Sequence, residues 1–471
     1  MRYVIAGLVV VVALGIYLLS TQPVEQAAPH QTRIRFAFPG SVKAISLFSR
    51  LARRFMELNP DIYVKLEPNI GDFRQIIKRD LVAGIAPDVF FSDDDYFTVF
   101  AADAHYLALD GLIARDAYDT SLFYAPAAES FRWEGKTYGL PFGWGCSLLL
   151  YNRQALRDAG IDYDPTQWTW EQFAETVRRC TGPARVKGRS VQRYGYMRDN
   201  AGHAMCNLWQ GGGTILQKAI VCPHCDRRND VADIVEPCPT TGRRADGAAC
   251  GGCGESMSGG RVEWRAACDT PEAVAGIEYM LSLLPYTPRA VASEASEMPS
   301  NQEMFATGRL AVIRGGPYSA QWAAEVDVDW GIGYFPAGPG GRWTRFYCDG
   351  FVIWAKTQHP DEAWRLLRYL CGADAQRLLA KEAYHVPVRR AVARSPYFNR
   401  PDTPWDESIF AGAIEHVRFQ RKIPEWDEAG EILARNYGLL MLEPGAPQRI
   451  TAAEFLARCQ REINREVFQR P

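Results

Sequence analysis

Charge of one sign is what this sequence has little of to spare. Its 53 Lys and Arg offset 55 Asp and Glu, which leaves a formal net charge of −2. That balance excludes a broad basic field for nucleic acid. Histidine is scarce, with 7 in 471 residues. No Gly-x-Ser-x-Gly, His-Glu-x-x-His or Gly-x-x-x-x-Gly-Lys motif occurs. Their lack removes the usual marks of an α/β-hydrolase, a zinc protease and a phosphate-binding loop. Internal repeats are absent too, so a solenoid or propeller is not expected.

What is present points to a large globular chain. The length exceeds what one hydrophobic core holds and implies two or three domains. Composition is ordinary, 47% hydrophobic and 23% charged, so nothing marks disorder or a fibre. Aromatics are plentiful, with 13 Trp, 21 Tyr and 22 Phe; most belong to a core, and Trp also suits stacking on sugar faces. Tyr3 to Leu19 is an uncharged apolar run preceded by Arg2 and followed by a polar stretch, Ser20 to Gln31. This is an export signal or a membrane anchor. The run is long for a signal core, and Glu25 or Gln26 stands where a cleavage site near Ala27-Ala28 needs a small residue. An uncleaved anchor is therefore favoured, and with either reading the body lies outside the cytoplasm.

Periodicity then gives the organisation. Arg33 to Phe38 alternates as a half-buried strand, and Ile45 to Leu58 repeats at helical steps until Pro60. A strand over Ile62–Leu66, a helix through Phe73, Ile76, Ile77 and Leu81, and a buried strand at Val89–Phe91 follow. This alternation predicts an α/β lobe with a largely parallel sheet. Ligands of such sheets sit beyond the carboxyl ends of the strands. That places Pro39–Lys43 and Ser92–Tyr96 at a candidate site, with Ser41 and Lys43 on the first loop. Trp133-Glu134-Gly135-Lys136 reads as a hairpin turn, and Tyr138–Asn152 as extended. Thr169-Trp170-Glu171-Gln172 has capping-box spacing, and Thr270-Pro271 opens a helix. Phe351–Ala355 reads as a strand and Asp361–Leu370 as a helix. Residues 218–260 stand apart as a Cys-, Gly- and Arg-rich insertion.

Several segments, in order, resemble the extracellular solute-binding proteins of bacterial ABC importers, the family that includes the maltose-binding proteins. They are RFMELNPDIYVKLEP, LVAGIAPDVFFSDDDYF, GKTYGLPFGWGCSLLLYNRQALRDAGID, MFATGRLAVIRGGPYSAQW, DWGIGYFPAGPGG and AWRLLRYLCGADAQRLLAKEAYHVPVRRAV. The resemblance implies a type II periplasmic-binding-protein fold, two α/β lobes joined by hinge strands, with the ligand in the cleft. By it, residues 1–31 are signal or anchor plus linker. The N-terminal lobe is 32–145 with 337–385, and the C-terminal lobe is 146–336 with 386–471. The implied function is capture of a sugar or oligosaccharide for ABC importer permease subunits, without catalysis. A ligand sensor that reports to a membrane signalling partner has the same fold. A glycoside-processing enzyme is a third reading, because Asp93–Asp95 resembles half of a carboxylate pair.

Site candidates follow from both sources. The resemblance implies that Asp95 accepts hydrogen bonds from sugar hydroxyls, with Asp94 and Tyr96 beside it; a solvated turn is the plainer alternative. It also implies that the ring of Tyr318, in Gly315-Gly316-Pro317-Tyr318, stacks on the sugar. Tyr stands there instead of the Trp of maltose binders, which argues against maltodextrin as the ligand. Trp144 lies between Gly143 and Gly145, a sign of close backbone approach or of a core ring. Asp349, Trp209 and Trp426 complete the candidates, and core packing is the stronger reading for the two tryptophans.

Cysteine usage adds a second expectation. Of 12 Cys, Cys222, Cys225, Cys250 and Cys253 form two C-x-x-C pairs inside the insertion. Each such pair makes a knuckle that points two sulfurs at one metal, so the spacing predicts a structural zinc ribbon. Disulfides are the alternative outside the cytoplasm, and Cys238, Cys268 or His224 can replace one ligand.

Overall fold

The computed structural model describes residues 27–221, 224–225, 228–230, 253, 261–288, 300–382, 385–400, 406, 408–418, 423–443 and 445–469. The expected N-terminal anchor therefore lies outside the described residues. So do Cys222 and Cys250. No helix among the described residues is long and apolar enough to cross a membrane.

The chain divides into two compact units, residues 1–90 with 357–366, and residues 91–356 with 367–471. In the first, β1 (Thr32–Pro39) lies between β2 (Ile62–Asn69) and β3 (Val89–Asp93), parallel to both. The helix Val42–Leu58 links β1 to β2, and Phe73–Ala83 links β2 to β3. Each starts on a polar cap. Ser41 Oγ accepts the Ala44 amide at 3.1 Å, and Asp72 accepts that of Gln75. The second helix ends on Gly84 in the left-handed region, φ 69°. Leu47, Phe48, Leu51 and Phe55 recur on one face and are buried. Phe48 meets Phe36 edge-on at 5.4 Å and Phe38 at 4.5 Å. Burying each such ring is worth about 1.5–3 kcal/mol.

The second unit carries the remaining strands. They are β4 (Arg132–Trp133), β5 (Lys136–Thr137), β6 (Gly139–Cys146), β7 (Leu148–Asn152), β8 (Gly182–Val186), β9 (Arg189–Tyr196), β10 (Leu216–Val221), β11 (Arg228–Asp230), β12 (Arg261–Ala266), β13 (Leu310–Gly315), β14 (Trp330–Gly333), β15 (Thr344–Ile353), β16 (Val386–Pro387) and β17 (Val417–Arg418). The expected hairpin is β4–β5, with Glu134 and Gly135 both at positive φ. β6 pairs antiparallel with β15 and with β16. After Ser147 the chain enters a different, five-stranded sheet of order β14-β7-β13-β9-β8. There β13 runs parallel to β9 and antiparallel to β7. β15 starts at Thr344, earlier than expected, because TRFYCD alternates and buries Thr344, Phe346 and Cys348 on one side. Thr169 and Gln172 form the expected capping box.

A third, small sheet of order β11-β10-β12 frames the insertion. β10 pairs with β12 from Leu216↔Ala266 to Val221↔Arg261, and with β11 at Val221↔Arg228.

Candidate ligand-binding site

Three consecutive carboxylates follow β3, and the fold gives each a different task. Asp93 Oδ1 accepts the amides of Asp95 at 2.9 Å and Tyr96 at 3.3 Å, which shapes the turn. Asp94 is buried. Its Oδ1 accepts the Cys348 amide and its own amide donates to the Cys348 carbonyl, both at 3.0 Å, so it fastens the turn to β15. Asp95 is the exposed member, with its side chain 49% accessible, and it forms an ion pair with Arg345 of β15. Tyr96 is buried, its hydroxyl donating to the Phe91 carbonyl at 3.3 Å. Burial, with Asp93 nearby, pushes that hydroxyl's pKa well up. Of the three neighbours expected at the ligand, Asp94 and Tyr96 are thus buried and engaged with Cys348 and with Phe91 and Asp93, and Asp95 is the exposed one. An alternating strand end cannot show this, because the local sequence does not reveal which carboxylate turns inward.

Trp144 also needs correcting. It is fully buried, stacked on Phe346 at 5.6 Å and edge-on to Tyr124. Its ring has no face left for a ligand. The flanking glycines do permit close approach, but of protein. A Cβ on Gly143 would meet His385 Cβ at 2.6 Å, and one on Gly145 would run into the Tyr347 ring. Trp209 is buried in the cluster with Leu208, Ile277 and Phe455, under the Arg418 guanidinium at 5.5 Å. Trp426 packs on the same cluster, and both are core. Ser41 is the helix cap described above, in the first unit with Lys43, which lies in that helix's first turn. Asp349 holds His385 Nε2 at 2.7 Å, each side chain 17% accessible. Tyr318 is the second residue of the helix Pro317–Ala324, which follows Gly315-Gly316 at the end of β13.

Sequence reasoning missed a buried pair in the five-stranded sheet. Arg314, near the carboxyl end of β13, lies 3.2 Å from Asp199, just past the carboxyl end of the parallel β9; their side chains are 7% and 5% accessible. Arg314 Nε is the atom of that pair, a charge contact without hydrogen-bond alignment, and among the described residues Nη1 is buried with no hydrogen-bond partner. Burial raises the Asp199 carboxyl pKa and Arg314 opposes the rise, while Tyr196 donates to it at 3.2 Å. One charge inside the apolar run LAVIRGG was the available signal. Beside it, Ser147 Oγ lies 3.2 Å from His203 Nε2, and His203 Nδ1 lies 2.7 Å from Asn200 Oδ1. Ser147 and His203 are half-buried and offer a hydroxyl and an imidazole suited to directed hydrogen bonds, whereas the Arg314–Asp199 pair is closed to a solute.

Residues 40–377 match the family model described as bacterial extracellular solute-binding protein. The chain belongs to that family. This solute-binding protein is 20% identical to the maltotriose-binding protein of Pyrococcus abyssi over 390 residues, 81% of this chain and 71% of that one. Among solved structures it is similar to an ABC substrate-binding protein from Listeria monocytogenes in complex with cycloalternan. The TM-score is 0.71 at 14% identity, covering 93% of this chain and 99% of that one. It is also similar to UgpB from Mycobacterium tuberculosis in complex with glycerophosphocholine, at TM-score 0.68 and 19% identity, covering 93% and 100%. These likenesses show the α/β fold of binding proteins.

The described cysteines of the solute-binding protein fall into two kinds. Cys146, Cys180, Cys206, Cys268, Cys348, Cys371 and Cys459 are buried free thiols. Desolvation pushes their pKa values up, for Cys180 to about 11 and for Cys206 and Cys268 to about 12. Such thiols stay protonated and inert. Cys225 and Cys253, by contrast, are exposed. Among the described residues no three His, Cys, Asp or Glu side chains converge as a metal site.

Proposed function

We propose that this chain is the solute-capturing component of an ABC importer, binding a sugar or oligosaccharide outside the cytoplasm and delivering it to membrane permeases. The observation that carries the reading is the exposed Asp95 carboxylate at a strand's carboxyl end, fixed by Asp93 and Asp94 and paired to Arg345. A carboxylate pre-positioned in this way accepts two hydroxyls of one sugar at little ordering cost. The names of the relatives support a carbohydrate, and the Gly315-Gly316-Pro317-Tyr318 segment supplies an aromatic for its face. The two lobes implied by the sequence, 32–145 with 337–385 and 146–336 with 386–471, close when a ligand binds both better than it binds either alone. Thermal shift against a panel of mono- and oligosaccharides, with glycerophosphocholine and amines as controls, tests the reading. A carbohydrate is expected to raise the melting temperature, and a rise confined to the controls overturns it.

Two parts of the reading concern the chain's ends and insertion. Residues 3–19 stay attached and hold the binder at the membrane, which raises its effective concentration at the permease. Intact mass of the native protein checks this, and a mature N-terminus within 20–32 refutes it. The insertion binds structural zinc through Cys222, Cys225, Cys250 and Cys253. The pairing Val221↔Arg228 supports this, because it makes the first C-x-x-C the connection of a hairpin. Four thiolates leave no open metal position for chemistry. One zinc per chain is expected after purification without chelator, and disulfide-bonded, metal-free protein rules it out.

A further inference from the structure

The five-stranded sheet has a second working end. Opposite Arg314 and Asp199, at the amino ends of β9 and β13, lies a cavity of about 960 Å³. The tip of the β8–β9 hairpin forms one wall. Lys187 and Gly188 make its turn at φ 49° and 79°, both left-handed, a geometry that holds the hairpin straight. Gly308 (φ +68) packs against Val186 at a distance no larger residue allows, which closes the wall against the start of β13.

Charge in the cavity does not cancel. Of its acidic groups, Asp327 is held by Lys187 at 2.6 Å, and Asp329 by Arg153 and Arg157. Glu303 is spent on its own helix cap, accepting the Ser300 amide. Arg193 is matched by Asp158 at 3.2 Å. Arg189 and Arg309 remain, and neither has an ion-pair partner among the described residues; Arg185 stands on the other face of the hairpin, because it pairs with Ser190 while Val186 pairs with Arg189. Val186, Val191 and Val328 line the same space and give it apolar surface. Its size falls in the range of small-molecule sites, and it is concave, where a protein-docking face is flatter. Guanidinium forks match the tetrahedral oxygens of phosphate better than ammonium groups do.

We propose that this cavity is a second binding site, distinct from the solute site, for an organic phosphate. The phosphate sits on Arg189 and Arg309, and the carbon part rests on the valines. The same chemistry is offered by a free phosphomonoester and by an anionic phospholipid headgroup.

Calorimetry on the full-length protein with phenyl phosphate and with inorganic phosphate, alongside co-sedimentation with phosphatidylcholine vesicles with or without phosphatidylglycerol, tests the site. Phenyl phosphate is expected to bind more tightly than inorganic phosphate, and added salt to weaken it. Sedimentation raised by phosphatidylglycerol above that with phosphatidylcholine alone, and brought back down by phenyl phosphate, identifies the lipid source; phenyl phosphate binding without that rise identifies the free ester. The combined Arg189→Ala and Arg309→Ala variant should lose at least about tenfold in affinity, a change of about 1.4 kcal/mol. Arg189→Glu, on the exposed hairpin, should do the same if the double variant does not fold. The proposal is overturned if phenyl phosphate does not bind and phosphatidylglycerol adds nothing to sedimentation, or if the variants bind as well as the native chain.

Discussion

Two arginine–carboxylate pairs stand at strand ends of the second unit, and they are built for opposite purposes. Asp95–Arg345 is open, at 49% and 28% side-chain exposure. Asp199–Arg314 is shut away, at 5% and 7%. Water screens the open pair, so its two charges trade partners at small cost, and a solute hydroxyl can take either one. The closed pair has no such freedom. Desolvation raises the Asp199 carboxyl pKa against the pull of Arg314, which marks an ion pair whose burial cost is only partly returned. The contrast teaches that a charge pair in a binding protein is a recognition element when exposed and a frame when buried.

Removing one member of each pair separates them most sharply. Arg314→Met leaves a buried carboxylate without its cation and should cost about 3–5 kcal/mol, read as a large fall in denaturation midpoint. An effect under about 1 kcal/mol would erase the distinction from the open pair. Asp95→Ala should act on binding instead. Carbohydrate affinity falls by about 1–3 kcal/mol in calorimetry while stability stays within about 0.5 kcal/mol. A loss of stability larger than the loss of affinity would make Asp95 a frame residue as well.

pH gives a finer test. A carboxyl whose folded pKa lies above its unfolded value holds its proton more tightly in the folded chain. Its stabilising contribution is present below the ordinary value of 3.8 and is lost as pH rises through the raised folded value. Asp199→Asn should therefore flatten the fall in stability on the alkaline side of 3.8, and the cost of Arg314→Met should grow over the same range. The smallest expected effect is that of salt. Arg345→Met should change stability by under about 1 kcal/mol, and raising ionic strength should shrink that further. Salt should leave the cost of Arg314→Met nearly unchanged.

The parts legible in the sequence are those where local pattern and burial agree. The β1-to-β3 alternation, the Ile45–Leu58 helical repeat and the Thr169–Gln172 capping box each rest on spacing that one element imposes on itself. The site was legible only down to its segment. Asp94 and Asp95 are chemically identical neighbours, and the Cys348 amide, 254 positions away, decides which is buried. Trp144 invited a ligand because its glycines announce close approach, yet His385, just before β16, and Tyr347 of β15 are what approach. Arg314 and Asp199 were overlooked for the same reason, since each is ordinary until the fold brings the other to it.

The small sheet framing the insertion carries a consequence for how such a chain changes over generations. Entry and exit strands are neighbours, and Val221 faces Arg261 at the point where the insertion leaves the host. Two ends a single ladder step apart can be rejoined by a tight two-residue turn. The ladder from Leu216↔Ala266 to Val221↔Arg261 keeps the two ends together, and β11, from inside the insertion, pairs with the other edge of β10. Residues 218–260 therefore leave and rejoin the body through one pair of neighbouring strands, and a change of length between those ends need not move either of them.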